Sequence, residues 1–172
     1  MLILIAGLPG SGKTSLAQAI SQLLNAKHFH SDQVRRELGL WGHYQPADKA
    51  AVYNELLSRT RLALEAGETV VVDSTFYLAS LRNPFDLVAK QLGVKAIWVL
   101  ATAPNEILRQ RVAMPRADSE ASLSVFEKIA AAFEPLEGPH LTIDTSKACA
   151  DDLAKSVVEH IQNGQKASVG HP

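Results

Sequence analysis

The chain has 172 residues, 47% of them hydrophobic and 20% charged, and its 17 Lys+Arg against 18 Asp+Glu leave a formal net charge of −1. A chain of this length suits one domain and buries roughly two thirds of its unfolded surface without covalent staples. The balance excludes wholesale disorder and the broad basic field that long duplex nucleic acid needs, and the lone Cys149 excludes an internal disulfide framework.

The elements follow in chain order. Met1–Ala6 is a short apolar run ended by Gly7 and reads as a buried strand. Lys13–Leu24 carries Leu16, Ala17, Ile20, Leu23 and Leu24 at helical spacing. Lys27–His30 reads as a weak strand, followed by a helix through Leu38 that Ser31 or Asp32 can cap. Gly39–Gln45 is loop-like. Pro46 opens a long helix to about Ala66, stopped by Gly67. Thr69–Val72 is a β-branched strand ended by Asp73, and Ser80–Leu92 a helix ended at Gly93. The remaining pattern predicts strands at Val94–Leu100 and Leu141–Ile143, and helices at Pro104–Val112, Ser119–Phe133 and Ala150–Gln162. Gly164–Pro172 reads as a loose polar terminus. Strand alternating with helix implies an α/β fold with a parallel sheet covered on both faces. With no repeat or linker, residues 1–172 read as one domain, with a charged flap at about 109–122.

One motif dominates. Gly7-Leu8-Pro9-Gly10-Ser11-Gly12-Lys13-Thr14 matches G-x-x-x-x-G-K-[ST] at every fixed position, between a strand and a helix. Glycines let backbone N–H groups close around phosphate oxygens, and the helix beginning near Lys13 adds its positive end. Lys13 supplies charge to the β- and γ-phosphates, and the Thr14 hydroxyl a ligand to Mg²⁺. ATP with Mg²⁺ is the expected cofactor pair.

Two further groups sit where ligands bind in open parallel sheets, beyond the strand ends. Asp32 and Arg35 stand three apart on a helix start. Asp32 can accept a proton from a substrate hydroxyl, and Arg35 can hold an anionic group of the acceptor. The alternative makes Asp32 a helix cap and Arg35 a surface charge. Asp73 at a strand end can serve Mg²⁺ on the metal side and border the substrate; otherwise it caps the turn with Ser74 and Thr75. Around the flap, Arg109 and Arg116 are candidates for stabilising the transferring phosphoryl group, and Arg111 for binding nucleotide. Arg109 and Arg111 cannot share a helical face. Trp41, His43 and Tyr44 can contact an acceptor, Asp144-Thr145-Ser146 can border the adenine or ribose, and Trp98 reads as core. His28 and His30 share a strand face, but no third ligand supports zinc.

Gly7–Ser15, Ser31–Leu38, Val70–Phe76, Phe133–Leu136 and Leu141–Ser146 together resemble the small P-loop kinases of the zeta-toxin-like group, which includes kinases similar to polynucleotide 5′-hydroxyl kinase, chloramphenicol phosphotransferase and gluconate kinase. The resemblance spans almost the whole chain. It implies a doubly wound five-stranded sheet of order 2-3-1-4-5, nucleotide contacts along Gly7–Ser15, and an arginine-bearing helical lid. It also implies that Asp32 is the general base and that Arg35, three residues later, grips a phosphate of the acceptor as the matching arginine does in the polynucleotide kinase. Ser74 departs mildly from the group's Asp-Ala-Thr or Asp-Thr-Asn pattern at Asp73-Ser74-Thr75. The expected activity is transfer of the γ-phosphoryl group of ATP to a hydroxyl. The expected acceptor is a small molecule, with a nucleic-acid 5′ end as an alternative, in a cytoplasmic setting without a membrane partner. A nucleotide-dependent switch or assembly ATPase, and a toxin-like kinase of a sugar nucleotide, are the competing readings.

Overall fold

The apolar run at the start of the chain is the centre of the molecule. In the computed structural model, which describes residues 1–114 and 123–169, Leu2–Ala6 forms strand β1 with all its residues buried. Strand alternation sends Leu2, Leu4 and Ala6 to one core, with Val34, Val52, Leu56 and Phe85. Ile3 and Ile5 face the other, with Leu16, Ile20, Val99 and Val157. A strand buried on both faces has no polar side to show, which is why it reads as a continuous apolar run.

The elements after β1 are α1 (Lys13–Leu24), β2 (Lys27–His30), α2 (Ser31–Glu37), α3 (Pro46–Glu65), β3 (Val70–Asp73) and α4 (Ala79–Gln91). They continue with β4 (Ala96–Thr102), α5 (Asn105–Ala113), α6 (Leu123–Ala132), β5 (His140–Asp144) and α7 (Ala150–Val169). The sheet has five strands in the order β2-β3-β1-β4-β5, every pairing parallel. Helices α1 and α7 cover one face and α2, α3 and α4 the other, as the sequence reading expects. Leu108, Val112 and Phe126 form a small third cluster that joins α5 to α6. No helix among the described residues is long and apolar enough to cross a membrane.

Parallel pairing aligns the strand ends. Ile5 lies beside Asp73, and His30 beside Asp73 on the other edge. The carboxyl ends of β1, β2 and β3 therefore deliver Gly7, Ser31 and Ser74 to one rim of the sheet.

The differences from the sequence reading lie at boundaries. Strands β3 and β4 begin and end one or two residues later than their apolar patterns, because hydrogen bonding continues past the last apolar residue. Helix α7 runs to Val169, beyond the expected end at Gln162, so most of the supposed loose terminus is helical. A single Gly costs about 1 kcal/mol in a helix, which its good helix-forming neighbours offset. Residues 115–122, which include Arg116 and most of the supposed flap, lie outside the described residues.

Candidate active site

The phosphate loop leaves β1 at Gly7 and enters α1 at Lys13. Gly10 has φ 82° and Gly12 φ 76°, both in the left-handed region that side chains disfavour. Neither could accept a side chain cheaply. A Cβ on Gly10 would meet the Leu108 carbonyl oxygen at 2.8 Å, and one on Gly12 the Thr145 Oγ1 at 3.1 Å. Gly12 is the cap of α1 and offers no side chain, so the first amides of the helix remain open to an anion.

Below the loop a cavity of about 390 Å³ is bounded by Lys13, Thr14 and Ser15 on one side and by Asp32 and Arg35 on another. These five positions, separated in sequence, are thus brought to one space. Asp32 occupies the first turn of α2 and makes no capping hydrogen bond; the residue at the cap position is His30. His30 Nε2 lies 3.9 Å from Asp32 Oδ2.

Asp73 is fully buried at the end of β3. His28 Nε2 lies 3.4 Å and His30 Nε2 3.8 Å from its Oδ1. That spacing permits attraction but not good hydrogen-bond geometry, and both Asp73 oxygens and His28 Nε2 are left without a hydrogen bond. Burial alone would raise the Asp73 pKa. The closeness of His28, the charges of His30 and His28 and the Thr14 hydroxyl outweigh it and hold the carboxyl below its ordinary value. His30 Nε2 also lies 3.2 Å from Thr14 Oγ1. His28 and His30 do share one strand face, and that face is turned to Asp73.

This group bears on Mg²⁺. A hard cation takes oxygen donors, and a buried carboxylate with two unused oxygens beside the Thr14 hydroxyl is such a donor set. The residues present therefore fit a magnesium ion accompanying a nucleotide.

Around Arg35 the cavity is shaped both by residues the sequence singles out and by others it does not. Arg35 is 6% exposed; its Nη1 donates to the His43 carbonyl at 2.6 Å and its guanidinium lies 4.5 Å from the centre of the Tyr44 ring. Arg36, one residue on, stacks on Trp41 instead. Of the three loop residues expected near an acceptor, Tyr44 lines the cavity, while His43 contributes its backbone and Trp41 lies against Arg36.

Tyr53, in α3, organises the loop after β3. Its hydroxyl lies 2.7 Å from Ser74 Oγ and 3.4 Å from Thr75 Oγ1, and it accepts the Phe76 N–H at 3.2 Å. Phe76 is buried with φ 45°, a conformation that is costly for an aromatic residue. Arg82, almost fully buried, fixes the same loop by donating to the Phe76, Glu134 and Pro135 carbonyls. The outcome is that Ser74, Thr75 and Tyr77 line the cavity while Phe76 packs inward against Phe85 and Trp98. In sequence Tyr53 is one more apolar position of a helix, because its partners lie more than twenty residues away.

The arginines after β4 separate. Arg111 Nη1 donates to Thr145 Oγ1 at 2.9 Å and to the Gly10 carbonyl at 3.3 Å, and Nη2 to the Thr145 carbonyl at 3.2 Å. Thr145 in turn donates to the Ser11 carbonyl at 2.8 Å. A second cavity on this side is lined by Gly12, Ser15, Arg111, Thr145, Ala148 and Leu153, among others. Arg109 turns away, pairing with Glu127 at 3.0 Å over the Phe126 ring. Arg116 lies outside the described residues.

Residues 2–136 match a family model described as an AAA domain, and the chain belongs to that family. An uncharacterized protein of Mycobacterium tuberculosis is 29% identical over 143 residues, covering 76% of this chain and 29% of that protein. The chain thus spans less than a third of the length of the first curated relatives it matches. Among solved structures, Kti12 of Chaetomium thermophilum in complex with ADP-AlF3 superposes with a TM-score of 0.75 at 18% identity, covering 95% of this chain and 98% of that one. The Mycobacterium tuberculosis APS kinase CysC in complex with AMPPNP and APS gives 0.73 at 19%, covering 94% and 96%. The fold is that of the nucleotide-dependent P-loop kinases.

Proposed function

We propose that this member of the AAA domain family is an ATP-dependent phosphotransferase that moves the γ-phosphoryl group of ATP to a hydroxyl of an acceptor. The observation that carries the reading is that one cavity has the phosphate loop, with Lys13 and Thr14, on one wall and Asp32 with Arg35 on another. A nucleotide hydrolase needs only the first wall. A carboxylate free of any capping bond, facing the same space as the phosphate lysine, suits a proton acceptor for an incoming alcohol.

In this reading the loop amides and Lys13 hold the β- and γ-phosphates, and the α1 N-terminus adds its positive end. Thr14 and Asp73 would hold a magnesium ion, which would supply charge neutralisation to the transferring phosphate. The acceptor oxygen attacks the γ-phosphorus, and its proton passes to Asp32. The bond from that phosphorus to the β,γ-bridging oxygen breaks, and ADP departs with the electron pair. Arg111 and Thr145 back the loop and border the nucleotide base, and Arg35 holds the acceptor. Arg109 is held against Glu127 and does not line the cavity, which leaves Arg116 as the candidate for stabilising charge on the transferring phosphoryl group. The acceptor is a small molecule, consistent with a near-neutral chain, and the setting is cytoplasmic.

The test is a panel of alcohols offered with ATP labelled at the γ-phosphate and Mg²⁺: sugars, hydroxy acids, nucleosides, and oligonucleotides with a free 5′-hydroxyl. The reading expects label in at least one acceptor, lost in Lys13→Ala. Label released only as inorganic phosphate across the panel would overturn it.

A further inference from the structure

We infer that the cation accompanying the nucleotide takes Nε2 of His30 as a ligand beside Thr14 and Asp73, so that the site favours a first-row transition ion such as Mn²⁺ or Co²⁺ over Mg²⁺. This rests on the nucleotide and cation half of the reading above and not on the acceptor. Three buried polar atoms around the end of β3 have no hydrogen-bond partner among the described residues: both oxygens of Asp73 and Nε2 of His28. Leaving such atoms unsatisfied is costly, and a cation satisfies the two oxygens. Parallel pairing sets His30 beside Asp73, and strand alternation turns His28 and His30 to the same side.

The distances select His30. Its Nε2 lies 3.2 Å from Thr14 Oγ1 and 3.8 Å from Asp73 Oδ1. With bonds of about 2.1 Å, adjacent donors of an octahedral ion stand about 3 Å apart and opposite donors about 4.2 Å. Both spacings fall in that range, so one ion reaches the hydroxyl, the carboxylate and the imidazole with small side-chain adjustments. His30 rather than His28 is the ligand because it also approaches Thr14. Among the described residues no three His, Cys, Asp or Glu side chains are placed to hold a cation by themselves. The nucleotide's phosphate oxygens therefore complete the shell, and the ion arrives with the nucleotide. Ligand type decides which ion is preferred. Mg²⁺ keeps to oxygen donors and sheds water reluctantly, whereas a neutral imidazole nitrogen raises affinity for the first-row transition ions.

Two measurements decide the matter. In the first, the chain is prepared with ¹⁵N-labelled histidine, loaded with AMPPNP and Mn²⁺, and examined by pulsed electron paramagnetic resonance. A ¹⁵N coupling of the strength of a directly bound imidazole is expected. It should be lost in His30→Gln and kept in His140→Gln, which alters a ring set against the Gly138 carbonyl at the start of β5. No such coupling in the wild type, or coupling that persists in His30→Gln, overturns the inference. The wild-type spectrum is decisive even where the variant folds poorly. The second measures Mn²⁺ and Mg²⁺ affinity of the AMPPNP complex by titration. The ratio of the two affinities should fall by about tenfold in His30→Gln. An unchanged ratio overturns the inference, because it is the result expected of a His30 that only hydrogen-bonds the Thr14 hydroxyl. Label transfer with Mg²⁺ in a protein that shows no ¹⁵N coupling sinks the cation site and leaves the kinase reading standing. Coupling without transfer to any acceptor of the panel does the reverse.

Discussion

Asp73 is the residue whose surroundings are least like those of an ordinary carboxylate. It is fully buried, lies beside two histidines, and has both oxygens without hydrogen bonds. Its folded pKa is depressed despite burial, through His28 first and then the other nearby groups. The sign follows from linkage: the ionised form contributes stability above the unfolded value of about 3.9, and that contribution is lost as pH falls through the lower folded value. Denaturant unfolding followed from pH 7 downward should therefore show stability falling below about pH 4, with a smaller fall in Asp73→Asn. Equal acid sensitivity in the two proteins would show that Asp73 is not the titrating group. Asp32 differs in kind. It is half-buried, makes no cap, and borders open space, so its carboxylate is available for chemistry where that of Asp73 is available to a cation.

At the scale of elements, the site is a set of loops held from behind. The phosphate loop is fastened at its back by Thr145, which reaches the Ser11 carbonyl, and by Arg111, which joins Gly10 to Thr145. The loop after β3 is fastened by Tyr53 and Arg82 against the strain of a left-handed Phe76. Replacing Arg111 by Met removes three hydrogen bonds to the first fastening and a wall of the second cavity. ATP affinity should fall by roughly tenfold, about 1.4 kcal/mol, with only a small change in melting temperature. Calorimetric titration with ATP checks it; wild-type affinity would show that Arg111 is structural only. These fastenings explain which parts of the site are legible in sequence. The phosphate loop is local and continuous, so its spacing declares it. Asp32 and Arg35 can be read because three residues on a helix start fix their relation. Tyr53, Lys49, Tyr77 and Lys128 meet only through tertiary packing of α3, α6 and the loop after β3, and no local period marks them.

At the scale of the whole molecule, alternating apolar runs and amphipathic patterns are enough to give a parallel sheet with helices on both faces. They do not give the strand order, which came from resemblance and agrees with β2-β3-β1-β4-β5. That order matters because it sets β1 between β3 and β4, so the phosphate loop rises between the loop carrying Ser74 and Thr75 and the helix carrying Arg111. Strand boundaries slip by a residue or two because apolarity marks burial, whereas pairing continues until the backbone turns away, as at Thr102 and Asp144. In a chain of near-neutral charge, Lys13, Arg35, Lys49 and Lys128 all line the one cavity.

In the proposed reaction γ-phosphoryl transfer to an alcohol runs through Asp32. Its most direct test is a single-turnover comparison of wild type and Asp32→Asn, with labelled ATP bound, Mg²⁺ present and a competent acceptor from the panel. Transfer should slow by about 10²–10⁴-fold while ATP affinity stays within about twofold, since the role proposed for Asp32 is to accept the proton of the acceptor hydroxyl and not to hold the phosphates. Transfer at the wild-type rate in Asp32→Asn would contradict the account.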